Sequence, residues 1–158
     1  MSFHIVARCT LALVAFLSFG NAIAGQQTYV NDRFGTSIAY PDDVFTKRML
    51  PPENGDGQSW QAPDGATLLA FGRYNVSNET PKSIVAAAKK DSSRKVTYSK
   101  SGKDWAVLSG IETGSIFYER YLFGKDDVIH TVVIGYPPEL AKKYDALVGP
   151  IAKSLSGP

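Results

Sequence analysis

The sequence predicts an α+β domain: an antiparallel β-sheet of about six strands with helices packed on it. Three observations carry this. Residues 105–136 hold three strand-like runs separated by turns near every ten residues, the pattern of an antiparallel meander. Leu140, Tyr144, Leu147, Val148, Ile151 and Leu155 recur at spacings of three and four, which marks one buried helical face. The order strands, helix, strands, helix, with no internal repeat and no second core, places the helices on a shared sheet.

The elements follow in chain order. Gln26 to Val30 reads as a short first strand, and Phe34 to Tyr40 as an extended segment that Pro41 ends. Val44 to Lys47 adds a short edge strand. Met49 to Gly57 contains two prolines and two glycines, so it is an exposed loop. Gln58 to Ala62 and Ala66 to Val76 form a hairpin about Pro63-Asp64-Gly65, where glycine accepts positive φ without a Cβ clash. Thr80 caps the first helix, Pro81 suits its first position, and Ile84, Val85 and Ala88 give its apolar stripe; it ends near Asp91. Lys95 to Lys100, Trp105 to Thr113, Ser115 to Phe123 and Val128 to Tyr136 are strands. The last is apolar at nearly every position, as in a central strand buried on both faces. Pro137-Pro138 opens the final helix, and Pro150 within it is expected to kink or split it.

Residues 1–24 have the layout of a cleaved export signal. Arg8 supplies positive charge, Thr10 to Phe19 is a continuous apolar run, and Ala22 and Ala24 place small side chains before a cut at Gly25. The run falls short of the roughly 20 apolar residues that cross a bilayer. The expected mature domain, residues 25–158, then has no membrane span, and its location is periplasmic or secreted. Cys9 is the sole cysteine and precedes the apolar run, so neither a lipid anchor there nor a disulfide in the mature domain is expected.

Charge excludes one class of partner. Seventeen basic and fifteen acidic residues, less Arg8, leave the mature domain near neutral, with no footprint for nucleic acid. A structural zinc site needs several cysteine or histidine ligands, and the domain has no cysteine and one histidine. Asn54-Gly-Asp56 and Asp126-Asp127 lack the calcium-loop pattern and read as turns. No phosphate-binding or dinucleotide motif is present, and no cofactor is expected.

Few residues point to catalysis. His130, the one histidine of the domain, lies in the most apolar strand, where a core role outweighs that of a general base. No Gly-x-Ser-x-Gly elbow occurs. Glu112 and Glu119 flank the Gly114 turn and form the one carboxylate pair; they read as charges on a wet sheet face beside Arg120. Phe117, Tyr121 and Phe123 share one face of their strand, while Tyr118 shares the other with Ile116 and Leu122. One face must meet the helices; the other is a candidate ligand surface, though a sheet face rich in aromatics is more often simply core.

Four segments carry a family resemblance: RFGTSIAYP at 33–41, GSIFYERYLFG at 114–124, VIHTVVIGYPPE at 128–139 and YDALVGPIAKSL at 144–155. Together they resemble the Mog1/PsbP-like domains, over most of the mature chain. Leu155 stands where that family usually has Phe, and Pro150 has no counterpart. The resemblance implies an antiparallel sheet with helices and a binding or assembly role, as in a Ran-binding protein, an extrinsic photosystem subunit and bacterial envelope proteins. It transfers no catalytic motif.

The expected function is therefore an exported, non-enzymatic module that recognises a protein partner in the cell envelope. Its rivals are a small hydrolase using His130 with a nearby serine or carboxylate, and a carrier of a small apolar ligand. The expected partner surface is the stiff apolar loop residues Met49, Leu50, Pro51 and Pro52, with Trp60 just beyond; the alternative, which the loop type favours, is a tolerated surface insertion with Trp60 in the core.

Overall fold

The computed structural model describes residues 25–158. The proposed export signal lies outside the described residues. Nine strands form two sheets. A separate ribbon pairs β1 (Gln26–Val30) with β2 (Ser37–Pro41). The main sheet holds seven strands, in keeping with the about six expected, in the order β3 (Lys47–Arg48), β4 (Gly57–Gln61), β5 (Thr67–Tyr74), β9 (Val128–Tyr136), β8 (Ser115–Phe123), β7 (Trp105–Glu112), β6 (Arg94–Ser101). Every pairing is antiparallel. The short edge strand starts at Lys47 rather than Val44, because Phe45 turns inward and is buried.

Two helices cover opposite faces of this sheet. Helix α2 (Ala141–Ser154) packs on β2, β8 and β9, burying Tyr144, Val148 and Ile151 against Ile38, Leu68, Val132 and Ile134. Helix α1 (Pro81–Lys90) packs on β6 and β7, burying Ile84 and Ala88 against Leu108 and Phe117. Alternation along β8 separates the two cores. Phe117, Tyr121 and Phe123 face α1, while Ile116, Tyr118 and Leu122 face α2. The central position of β9 is as its composition demands, since Ile129 and Val132 on its two faces are both fully buried.

Local chemistry explains both helix starts. Thr80 Oγ1 accepts from the Ser83 amide at 3.1 Å, and Ser83 Oγ accepts from the Thr80 amide at 2.8 Å, so two orphan donors are satisfied. Lys89 and Lys90 oppose the dipole at the other end. The second helix is entered through a 3-10 turn at Pro138–Leu140.

Of the two effects expected of Pro150, a kink or a split, the split does not occur. Proline disfavours helical geometry in the residue before it, partly through that residue's Cβ. Here that residue is Gly149, which has no Cβ, and the helix runs on to Ser154. Ser154 Oγ then accepts from the Ala39 amide at 2.8 Å, tying the helix end to β2. The following residue pair closes the ribbon onto the chain end: Ser37 and Ser156 exchange backbone hydrogen bonds of 2.8 and 3.0 Å.

Candidate functional site

His130 lies on the α2 side of β9 and is fully buried. Its Nδ1 meets Thr36 Oγ1 at 2.8 Å, and its Nε2 faces the Pro158 carbonyl without a well-formed bond. Gly124 and Gly157 crowd the ring so closely that a Cβ at either would collide with it. Among the described residues no serine oxygen or carboxylate hydrogen-bonds to it. The arrangement is that of a packed core histidine. Burial pushes its pKa below the ordinary 6.5, with the Pro158 carbonyl opposing.

That shift has a signed consequence. Above the unfolded value of 6.5 both states are neutral and the group contributes no pH dependence. As pH falls through 6.5 the unfolded chain takes up a proton that the folded chain resists, so stability drops until the depressed folded pKa is passed. The melting temperature of the protein should fall from about pH 7 to about pH 5, with this component absent in His130→Gln. At neutral pH that variant should itself lose roughly 1–3 kcal/mol, because Thr36 loses its buried partner. Thermal melts of both proteins across this range check both points.

The carboxylate pair has a different environment from the one expected. Glu119 is buried, not on a wet face, and its partner is Arg94 rather than Arg120. Alternation from Phe117 puts it under α1, where Arg94 binds it at 2.6 and 3.3 Å. Tyr121 donates to the same carboxylate at 2.7 Å, and Arg94 Nε lies 3.5 Å from Glu112. Arg94 also lies 4.0 Å over the Phe117 ring. Burial, then the neighbouring Glu119, pushes the Tyr121 phenol far up. Both carboxylates lie within ion-pair distance of Arg94, Glu119 buried and Glu112 at the surface.

The loop expected to recognise a partner is held in place by three side chains from two segments. Arg33 Nη1 donates to the Asn54 carbonyl at 2.7 Å, and Asn31 Nδ2 to the Gly55 carbonyl at 2.9 Å. Gln58 Nε2 donates to the carbonyls of Met49 at 2.7 Å and Ser59 at 2.9 Å. These two acceptors fix the amide orientation, which leaves Gln58 Oε1 buried without a partner. Asn54 and Asp56 bond each other as a turn, as their sequence suggests.

Loop and ribbon enclose a surface cleft of about 460 Å³ lined by Tyr29, Asn31, Arg33, Arg48, Pro51 and Gln58. At its rim Leu50 is 93% exposed, flanked by exposed Met49, Pro51 and Pro52. Trp60 is not on this surface. It is 2% exposed and packs between Tyr29 and Tyr40, with ring centroids 5.1 and 4.6 Å away. The reason is parity: Trp60 lies opposite Leu68, on the face that α2 and the ribbon cover. Sequence reasoning missed Asn31, Arg33 and Gln58. Gln58 was detectable in principle, since it shares the inward face with Trp60 two residues on.

No family model matches the chain, and no curated protein matches it in sequence. Among solved structures, the solution structure of cyanobacterial PsbP (CyanoP) from Synechocystis sp. PCC 6803 is similar. It aligns with a TM-score of 0.59 over 88% of this chain and 96% of that chain, at 13% identity. The fold is PsbP-like. At that identity the PsbP-like likeness establishes the arrangement of strands and helices and assigns no residue a role. Among the described residues, no helix of this PsbP-like domain is long and apolar enough to cross a membrane.

Proposed function

We propose that the chain is an exported, non-enzymatic binding and assembly module that recognises a protein partner in the cell envelope. Export and a periplasmic or secreted location rest on the pattern of residues 1–24. The observation that carries the binding reading is Leu50, an almost fully exposed leucine on a stiff Pro51-Pro52 segment whose loop is clasped by Asn31, Arg33 and Gln58. A pre-ordered apolar tip loses little entropy on binding, so its contact area is retained as affinity. Met49, Leu50, Pro51 and Pro52 make the contact. The PsbP-like fold supports a non-catalytic role.

The two rivals have less behind them. A hydrolase needs a base bonded to a nucleophile or an orienting carboxylate, and His130, buried, has Thr36 as its hydrogen-bond partner among the described residues. A carrier needs space between sheet and helix, and that layer is filled by Tyr144, Phe45, Leu68 and Ile134. Removing the whole loop is a poor test, because the clasps go with it and stability falls. Leu50→Ser is the better one. It should leave the melting temperature unchanged and weaken binding to the envelope partner, identified by cross-linking and mass spectrometry, by about tenfold or more. Undiminished binding would remove the loop from the interface. A hydrolytic activity abolished by His130→Gln in a folded protein would overturn the module reading itself.

A further inference from the structure

We propose that the outer half of the α2 face of the main sheet, on β6, β7 and β8, is a docking platform for an acidic, apolar-anchored segment of a partner protein. Strand register decides which side chains share this face, because residues directly opposite one another point the same way. Lys95 pairs with Ile111, Lys100 with Val107, and Val107 in turn with Arg120. Tyr98 and Trp105 fall on the same side. Among the described residues the strands thus place three cations on this face, two from β6 and one from β8, and no carboxylate. Glu112 and Glu119 point to the opposite face, where Arg94 holds them, and Asp104 lies in the turn beyond Trp105.

Among the described residues α2 makes its main sheet contacts on β8 and β9, and neither helix packs over the α2 side of β6 and β7. Tyr98 is 53% exposed and Ile111 42% exposed, while Val107 beneath them is buried and makes a firm floor. Arg120 lies with its guanidinium 5.3 Å from the Trp105 ring, and its Nε is buried without a hydrogen-bond partner. Among the described residues Lys95, Lys100 and Arg120 form no ion pair. A partly desolvated guanidinium without a counter-charge is stabilised by an arriving carboxylate, at strength above a solvent-exposed pair.

The apolar content favours a protein over a polyanion. A polysaccharide or nucleic acid draws its affinity from many phosphate or sulfate contacts, and three dispersed cations supply few. Tyr, Trp and Arg around an exposed aliphatic side chain make the composition of a protein-interface centre. The proposal takes the class of its occupant from the binding-module reading and is independent of the Leu50 loop.

A soluble peptide with the core Asp-Glu-Phe-Leu-Asp-Glu between Gly-Ser flanks serves as the probe, titrated to about 1 mM into isotopically labelled residues 25–158 at low salt. The expected result is amide shift changes centred on Tyr98, Lys100, Ile111 and Trp105. Affinity should fall about tenfold in Lys100→Glu and in Tyr98→Ser, both exposed positions, and be lost when the peptide acids become lysines. No shifts, shifts confined to the Arg33–Gln58 cleft, or equal binding of the lysine peptide would overturn the proposal. Tighter binding of heparin that Tyr98→Ser does not weaken would overturn it in favour of a polyanion. Either failure leaves the Leu50→Ser result to stand or fall separately.

Discussion

Arg94→Met is expected to destabilise the domain by about 3–5 kcal/mol. Arg94 and Glu119 form a two-pronged ion pair beneath α1, with side chains only 12% and 9% exposed. Methionine fills much of the same space but leaves the Glu119 carboxylate buried with Tyr121 as its remaining donor. The penalty is the desolvation of an unpaired charge and not the worth of the pair. The double replacement Arg94→Met with Glu119→Leu should therefore recover most of the loss, since an apolar pair of similar volume needs no counter-charge. Urea denaturation followed by circular dichroism measures all of these, and a single variant within 1 kcal/mol of the parent would show the network to be incidental. The effect should persist at high salt, because a pair this buried is poorly screened.

The second large effect is expected at Gly110. It sits on β7 opposite Val96, one residue before the register shift in β6. A Cβ built there falls 2.0 Å from the Lys95 carbonyl oxygen and 2.9 Å from Val96 Cα. Both obstacles are backbone, so no rotamer change relieves them and the strands must part. Gly110→Ala should cost about 3 kcal/mol or more, at the upper end for overpacking, and expose the β6 amides to exchange. Gly149→Ala is the contrast: no neighbouring atom lies within 4 Å, so its cost is limited to the strain of a Cβ before Pro150. Hydrogen exchange of β6 amides in the two variants separates a local rupture from a global one.

How much of this was legible in the sequence depended on range. The Thr80-Pro81 start, the Asp64-Gly65 turn and the meander from Trp105 to Tyr136 involve neighbours, and the structure has them where residue type placed them. The face of each strand was legible as a parity but not as a direction. Nothing local says that Phe117 looks toward α1 and Tyr118 toward α2. Glu119 was misplaced for that reason, a charge assigned to water when alternation sent it inward, and Trp60, open between partner surface and core, is in the core. The separation of β1 and β2 into their own ribbon was also hidden, because their strand pattern is the same whichever sheet they join. In the binding loop, apolar Leu50 and the prolines were visible, but the clasps from Asn31 and Arg33 come from a segment roughly twenty residues away in the chain.

The strand order has a consequence in time. β5 finds its second partner in β9, the last strand of the chain, with everything from Asn75 to Asp127 made between them. Pairings that span so much chain close slowly, in folding times on the order of milliseconds to seconds. During synthesis the β4–β5 hairpin and the β6–β8 meander therefore emerge as two fragments, each with one raw edge. Residues 128–136 join them, and Ser156 then fastens the end of the chain to Ser37. A chain stopped short of residue 128 is not a smaller domain but a pair of half-sheets, open to adhesion until the missing strand arrives.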